Sequence, residues 1–204
     1  MDKWLSWAVE LQSLAQAGLA YTDNVYDIER YERIREISAE IISEKSDIPT
    51  EKVKDLFCGE RGYQTPKLDT RAAVFKDGKI LLAHENNGTW SLPGGWVDVL
   101  ESVGSNAAKE VREETGLTVK PIRLIAVQDR NKHNKPVYAY GVCKVFVLCS
   151  LVGGSFEKNI ETTEIGFFSL DELPKTLAEE KSNREQIEMC FEAVKDENWQ
   201  VMFD

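Results

Sequence analysis

Three glutamates crowd one turn of a predicted helix in the middle of the chain. Glu110, Glu113 and Glu114 stand at positions i, i+3 and i+4, a spacing that places their carboxylates on one side of an α-helix. Like charges at this spacing repel by roughly 0.2–0.5 kcal/mol, and acidic side chains at the negative C-terminal end of a helix cost roughly 0.3–1 kcal/mol each. The arrangement is therefore unfavourable for a helix with only a structural role.

A divalent cation would reverse both penalties. Carboxylate oxygens together with the negative end of a helix form the kind of site that Mg²⁺ prefers. The alternative is a solvated acidic face, which is the better interpretation of three arbitrary glutamates. A charge arrangement that destabilises a helix without structural gain indicates function. The surrounding sequence has to decide between a cation site and a solvated face.

The helix that carries these glutamates is predicted to begin near Ser105, as its N-cap, and to end before Gly116. Glycine there can adopt the left-handed conformation that closes a helix. A helical wheel gives the inner face four residues, which are Ala107, Ala108, Val111 and Thr115.

The segment from Gly95 to Leu117, GWVDVLESVGSNAAKEVREETGL, resembles the Nudix box. That pattern is Gly, five residues, Glu, seven residues, Arg-Glu, an aliphatic residue, any residue, Glu-Glu, any residue, Gly and an aliphatic residue. The one departure is Lys109, where the pattern has Arg. The matching residues are Gly95, Glu101, Glu110, Val111, Glu113, Glu114, Gly116 and Leu117. The preceding Leu92-Pro93-Gly94 is similar to the usual lead-in.

The resemblance implies a role for each matched carboxylate. Glu113 and Glu114 would be ligands of Mg²⁺ or Mn²⁺, and Glu110 would be a further ligand or the base that activates water. Glu101, in the loop, would orient the catalytic helix by pairing with Lys109. Lysine keeps the charge of arginine but lacks its planar fork, so the stiffness of that pairing is in question.

The activity that the resemblance implies is hydrolysis of a nucleoside diphosphate linked to another moiety. Gly94 and Gly95 would let the backbone approach the metal and the phosphates. Metal ions would neutralise the diphosphate, align the phosphorus and lower the pKa of bound water. An acidic protein can then accept an anionic substrate.

Further candidates lie outside the box. Lys132 and His133, in a basic polar loop, would contact substrate phosphate or base, or else belong to a solvated hairpin loop. Glu161 or Glu164 would supply an additional ligand or base, as some Nudix enzymes do from a loop, or else lie on the surface. Trp90 and Trp96 could each stack on a nucleobase, with core packing as the alternative.

The first 66 residues show helical periodicity. A first helix is predicted from Lys3 to Leu14, with Gly18 as its stop. Its apolar stripe is formed by Trp4, Trp7, Ala8, Leu11 and Leu14. This stripe must be buried against the segment's own core, the following domain or a second subunit.

Two more helices are predicted before residue 66. One runs from about Asp27, as N-cap, to Ser43, and a short one follows Pro49. Residues 58–66 then read as a linker. We interpret residues 1–66 as a helical domain for dimerisation or substrate enclosure, and residues 67–204 as the Nudix domain.

After Pro66 the pattern changes to short apolar runs and period 2. Lys76-Asp77-Gly78 predicts a hairpin, residues 118–130 and 136–151 predict long strands, and residues 182–195 a final helix. This is an α/β pattern with a mixed sheet. The resemblance implies a Nudix-type α/β/α sandwich preceded by a small all-helical domain.

Composition excludes several classes of protein. The chain has 204 residues with 42% hydrophobic and 29% charged residues, an ordinary globular balance. No apolar run approaches the roughly 20 residues of a membrane helix, so we expect no membrane partner. A net charge of −10 opposes a stable nucleic-acid partner. Four scattered cysteines without a Cys-x-x-Cys pair indicate a reducing cytoplasm.

The leading segment adds a second resemblance. Lys3-Trp-Leu-Ser-Trp-Ala8 and Tyr31-Glu-Arg-Ile-Arg-Glu-Ile-Ser38 look like the branch with bacterial CDP-choline pyrophosphatases and their ADP-ribose-hydrolysing relatives. It implies a homodimer that converts CDP-choline to CMP and phosphocholine, with ADP-ribose as the alternative substrate. Activity on RNA 3′ ends would be compatible with the chemistry. The competing class is a nucleotide-sensing module without turnover.

Overall fold

The computed structural model describes residues 3–46, 49–57 and 62–204. They divide into two compact units. The first holds the residues up to Pro66 together with Val137–Gly141, and the second holds Lys67–Pro136 and Val142–Asp204. Residues 58–61 of the predicted linker lie outside the described part of the chain.

The described residues of the first unit form three helices: α1 (Lys3–Tyr21), α2 (Val25–Ser46) and α3 (Thr50–Phe57). Its small core is formed by four buried residues, which are Ala8, Ala39, Ile42 and Val53. Ala139 and Tyr140 pack against this core, which explains why a segment from much later in the chain belongs to this unit.

Four of the five residues of the predicted α1 stripe are not buried in this unit's own core, Ala8 being the exception. Trp4, Trp7, Leu11 and Leu14 are exposed by 54%, 44%, 36% and 61%. The buried face of α1 consists instead of Ala8, Gln12, Ala15 and Gln16. The two glutamines are tolerated because Gln12 Nε2 donates to Gln16 Oε1 at 3.1 Å, and Gln16 Nε2 donates to the Gly62 carbonyl at 3.0 Å.

Two predicted helix boundaries in this unit are wrong. Gly18 does not end α1, which continues to Tyr21. A Cβ at Gly18 would lie 2.5 Å from the Tyr31 ring, so the glycine makes room for a close packing partner. The cap of α2 is Asn24 and not Asp27, since Asn24 Oδ1 accepts the Tyr26 N–H at 2.9 Å.

The second unit is a mixed seven-stranded sheet. Its strands are β1 (Lys67–Lys76), β2 (Lys79–Glu85), β3 (Trp90–Ser91), β4 (Leu117–Asp129), β5 (Val142–Gly154), β6 (Thr162–Phe168) and β7 (Met202–Phe203). The order is β3-β2-β1-β5-β4-β7, with β6 paired to β2. Strands β1 and β5 are parallel, whereas β1–β2, β2–β6 and β4–β5 are antiparallel.

Helices cover both faces of this sheet. One apolar cluster joins α4 (Val103–Thr115) to the sheet through Ala107 and Val111. A second cluster joins α6 (Arg184–Lys195) to it through Ile187 and Cys190. The predicted α/β/α sandwich is therefore confirmed.

Local predictions for the second unit are partly confirmed. The hairpin turn has Asp77 at φ 51° and Gly78 at φ 74°. Strand β5, however, begins at Val142 and not at Pro136. Residues Arg130–His133 form a short helix, α5, within the predicted polar loop. Among the described residues, no helix is both long and apolar enough to cross a lipid bilayer.

Candidate active site

Helix α4 begins three residues earlier than predicted. Its N-cap is Ser102, whose Oγ accepts the Ser105 N–H at 3.1 Å, and Ser105 Oγ accepts the Ser102 N–H at 2.9 Å. Ser105 is thus the third residue of a capping box and not the cap. The closing residue is Gly116 at φ 70°, as predicted.

Two of the three clustered glutamates face the glycine loop. Glu114 Oε2 accepts the Gly94 N–H at 3.2 Å. A Cβ at Gly95 would lie 3.0 Å from Glu110 Oε2, which shows how closely that carboxylate approaches the backbone. The structure therefore brings Glu110 and Glu114 together at Gly94 and Gly95.

The glycine loop is fixed along β1 by backbone hydrogen bonds. Thr70 N–H donates to the Gly95 carbonyl at 2.9 Å, and Ala72 N–H donates to the Pro93 carbonyl at 2.8 Å. Gly94 has φ 149°, and a Cβ there would lie 1.9 Å from the Thr70 carbonyl oxygen. Only glycine fits at this position, because any side chain would strike the strand.

Helix α4 is tied to the same strand. The buried side chain of Asn106 donates from Nδ2 to Thr70 Oγ1 at 2.9 Å. Thr70 thus holds the loop through its backbone and the helix through its hydroxyl. The positions of Glu110 and Glu114 relative to Gly94 follow from these shared contacts with β1.

A buried ion pair beside Glu114 is missing from the sequence prediction. Arg71 donates from Nη2 to Asp69 Oδ1 at 2.7 Å and from Nε to Asp69 Oδ2 at 2.9 Å. Burial opposes the charge of Arg71, but the charges of Asp69 and Glu114 outweigh it and raise the pKa of the guanidinium. Two charged residues inside the apolar run of β1 were the signal that could have revealed this pair.

Glu110 and Glu114 are electrostatically strained, mainly by burial and less by the repulsion that their spacing predicted. Burial raises the pKa of Glu114 to about 7, although Arg71 and the Gly94 N–H favour its ionised form. Burial also raises the pKa of Glu110, and the charge of Glu113 adds to that rise. Both carboxylates are thus poised to gain from a cation.

The predicted pairing of Glu101 with Lys109 is wrong. Lys109 Nζ lies 2.7 Å from Asp98 Oδ2, 3.3 Å from Glu113 Oε2 and 3.9 Å from Glu110 Oε1. The hydrogen bond to Asp98 raises the pKa of Lys109. The single ammonium group of Lys109 binds Asp98, the loop carboxylate nearest to it. The arginine of the Nudix pattern has five N–H donors and could bind more than one loop residue.

The donor set fits a Mg²⁺-type cation that is completed by substrate. Among the described residues, no three Asp, Glu, His or Cys side chains form a ready metal-binding group. Glu113 is 57% exposed and faces Lys109, which leaves Glu110 and Glu114 at the glycine loop. Mg²⁺ is commonly held by one or two carboxylates together with water and substrate phosphates.

The two candidate glutamates beyond the box lie in different settings. Glu164 is in β6, where its neighbours Ile165 and Phe167 pack in the cluster that contains α4. Since side chains alternate along a strand, Glu164 lies on the opposite face of the sheet. Glu161 precedes β6, and its N–H donates at 3.0 Å to Asn159, a residue that itself contacts α4.

The tryptophan and basic-loop candidates also lie in different settings. Trp96 is 48% exposed in the loop after Gly95. Trp90 packs in the core with its ring centroid 5.0 Å from that of Phe168. His133 lies in α5 with Nε2 2.6 Å from Asp204 Oδ2, and Lys132 adjoins it, so the structure places both at the end of β4.

The chain matches two protein-family models. A family model described as "NUDIX domain" matches residues 66–190, and one described as "UDP-X-like, N-terminal oligomerisation domain" matches residues 2–57. YjhB from Bacillus subtilis, provisionally named an ADP-ribose pyrophosphatase, is 41% identical over 99% of this chain and 97% of its own length.

Two crystal structures share the architecture. An ADP-ribose pyrophosphatase from Streptococcus suis is 53% identical, covers 69% of this chain and 100% of its own, and gives a TM-score of 0.64. A UDP-X diphosphatase is 32% identical, covers 98% of this chain and 97% of its own, and also gives 0.64. With the box residues at the glycine loop, these matches show that the chain belongs to the Nudix family and is a pyrophosphatase with a UDP-X-like N-terminal domain.

Proposed function

We propose that this enzyme hydrolyses the diphosphate bond of a nucleoside diphosphate linked to another moiety, giving two monophosphates. The observation that carries the proposal is the convergence of Glu110 and Glu114 on Gly94 and Gly95. Arg71 lies beside them as a buried cation. A sensing module without turnover would have no need to retain buried carboxylates at this cost.

ADP-ribose is the substrate that the relatives favour. The matched proteins from Bacillus subtilis and Streptococcus suis both carry names that refer to ADP-ribose. CDP-choline, which the N-terminal resemblance placed first, stays a prediction that a substrate panel has to test. RNA 3′ ends complete that panel, although the net charge of −10 disfavours a polyanion.

Mg²⁺ or Mn²⁺ would be held by Glu110 and Glu114, with Glu113 joining if it leaves Lys109. The bound cation would neutralise the diphosphate and lower the pKa of water. Glu110, which lies close to the Gly95 backbone, would be a further ligand or the base that activates water. Glu161 is the candidate base outside the box.

Substrate contacts are proposed for the residues that surround the loop. Gly94 and Gly95 would allow close approach of the phosphates, and the exposed Trp96 would offer a stacking surface to a nucleobase. Lys132 and His133 stay candidates for a phosphate contact.

Cys143, Cys149 and Cys190 are free thiols, which supports a reducing, cytoplasmic setting.

We expect metal-dependent phosphate-bond cleavage in a panel that contains ADP-ribose, CDP-choline and an RNA 3′ end. With Mg²⁺ or Mn²⁺, the wild type should cleave ADP-ribose fastest, and a chelator should abolish the reaction. Glu114→Gln should lower kcat by about a hundredfold or more, because it removes a ligand. Product formation is followed by chromatography. Equal rates for wild type and Glu114→Gln on every substrate would establish the non-catalytic module instead.

Asp98→Asn should reduce activity more than Glu101→Gln does. Asp98 holds Lys109, but both side chains are partly exposed, so we expect a loss in kcat of no more than about fivefold. The measurement is steady-state kinetics of the two variants at matched ionic strength. A larger loss in Glu101→Gln would mean that the pairing implied by the Nudix pattern operates during turnover.

Relative to Glu114→Gln, the metal-free wild type should lose stability as the pH rises from about 4.5 to 7. Glu114 has an ordinary pKa of 4.5 and a folded pKa of about 7, so the folded state binds more protons in this range. Above it, Glu114→Gln should be more stable than wild type by at most about 3 kcal/mol, and the two should converge near pH 4.

This pH dependence is measured by thermal melting in a chelator. Glu113→Gln, at a side chain that is 57% exposed, is the matched control for removal of a carboxylate from the same turn of α4. Added Mg²⁺ should stabilise wild type more than Glu114→Gln. A difference between wild type and Glu114→Gln that is the same at pH 4 and pH 8 would contradict the assignment.

A homodimer through the α1 stripe is the proposed assembly. The stripe of Trp4, Trp7, Leu11 and Leu14 is exposed, and the segment matches a family described as an oligomerisation domain. Trp7→Glu should shift the sedimenting species to one chain of 23.1 kDa. Tyr26→Glu, at an exposed residue of α2, should leave the dimer intact. A monomeric wild type, or equal effects of both variants, would contradict this assembly.

A further inference from the structure

The last turn of α4 is held by an amide from the loop between β5 and β6. Asn159 Nδ2 donates to the carbonyl oxygens of Glu113 and Glu114, both at 3.0 Å. The final carbonyls of a helix have no partner within the helix itself. Asn159 therefore satisfies the backbone acceptors of the same two residues that the Nudix pattern pairs as ligands.

The other half of the same amide holds the start of β6. Asn159 Oδ1 accepts the N–H of Glu161 at 3.0 Å and that of Thr162 at 2.8 Å. Its own N–H donates to the Thr162 carbonyl at 3.2 Å. Two donors face carbonyls and one oxygen faces two N–H groups, so the network itself fixes the orientation of the amide.

Glu161 is also held from its other side. Its carbonyl accepts the Asn86 N–H at 3.0 Å, and Asn86 Nδ2 donates to the Ile160 carbonyl at 3.2 Å. Asn86 belongs to the turn after β2, so the backbone of Glu161 is clamped between that turn and the end of α4. Only the Asn159 half of the clamp reaches the helix that carries the box.

We propose that Asn159 is a positioning residue for catalysis, which fixes Glu161 relative to the box carboxylates of α4. This rests on the proposed function, because Glu161 needs a fixed position only if it acts on substrate or on bound water. The Asn159 side chain binds both the end of α4 and the backbone of Glu161, so it fixes the separation between them. A misplacement of about 1 Å at such a group is enough to lower turnover by about a hundredfold.

The test is a double-mutant cycle between Asn159→Ala and Glu161→Gln. Asn159→Ala should lower kcat at least about tenfold in the wild-type background, with KM changed less than about twofold. In the Glu161→Gln background the same change should lower kcat less than about twofold, since nothing is left to position. Kinetics are measured with saturating Mg²⁺, well below the melting temperature of each variant.

Two further variants separate positioning from general loss of structure. Asn159→Asp keeps an acceptor for Glu161 and Thr162 but places an oxygen opposite two carbonyls, so it should behave like Asn159→Ala. Asn87→Ala removes two hydrogen bonds to Thr89 within the turn after β2, which involve neither Glu161 nor α4, and should keep kcat within about twofold.

The outcomes are distinct. An inactive wild type overturns the proposed function and this inference with it. An active wild type in which Asn159→Ala costs the same in both backgrounds, or in which Glu161→Gln has full activity, overturns the inference alone. A loss that disappears in the Glu161→Gln background supports it.

Discussion

The burial of Glu114 against the Gly94 N–H is the contact on which the site depends. A carboxylate in this position is costly when ionised, as its pKa of about 7 shows. Arg71 does not fully neutralise Glu114, because its guanidinium already binds both carboxylate oxygens of Asp69. The remaining electrostatic deficit is what a divalent cation and a phosphate-bearing substrate together would remove.

Strand β1 holds this contact in place. Its backbone binds the glycine loop at Thr70 and Ala72, and the Thr70 hydroxyl binds Asn106 of α4. The glycine loop and α4 are therefore both held by β1, and β1 is itself paired along its length with β5. A rigid strand matters here because the carboxylates of the site repel one another. A flexible loop would let them move apart.

The sequence predicts what depends on local spacing and misses what depends on distant contacts. The hairpin at Asp77-Gly78, the end of α4 at Gly116 and the shared side of Glu110 and Glu114 follow from periodicity and turn chemistry. The roles of Arg71, Asp98 and Asn159 do not, since each depends on a partner set by the tertiary fold. The aromatic stripe of α1 marks a further limit, because its pattern predicts a buried surface but not what covers that surface.

Lysine at position 109 changes how the negative charge is distributed around α4. Its one ammonium group lies between Asp98 and Glu113, and it keeps Glu113 on the exposed side of the helix. An arginine could hold the loop with one edge of its fork and leave the other edge free. With lysine, recruitment of Glu113 to a cation has to compete with Lys109 directly. The two inward carboxylates, Glu110 and Glu114, are therefore the part of the site that exists before any ligand arrives, and Glu113 can join only at the expense of its pairing with Lys109.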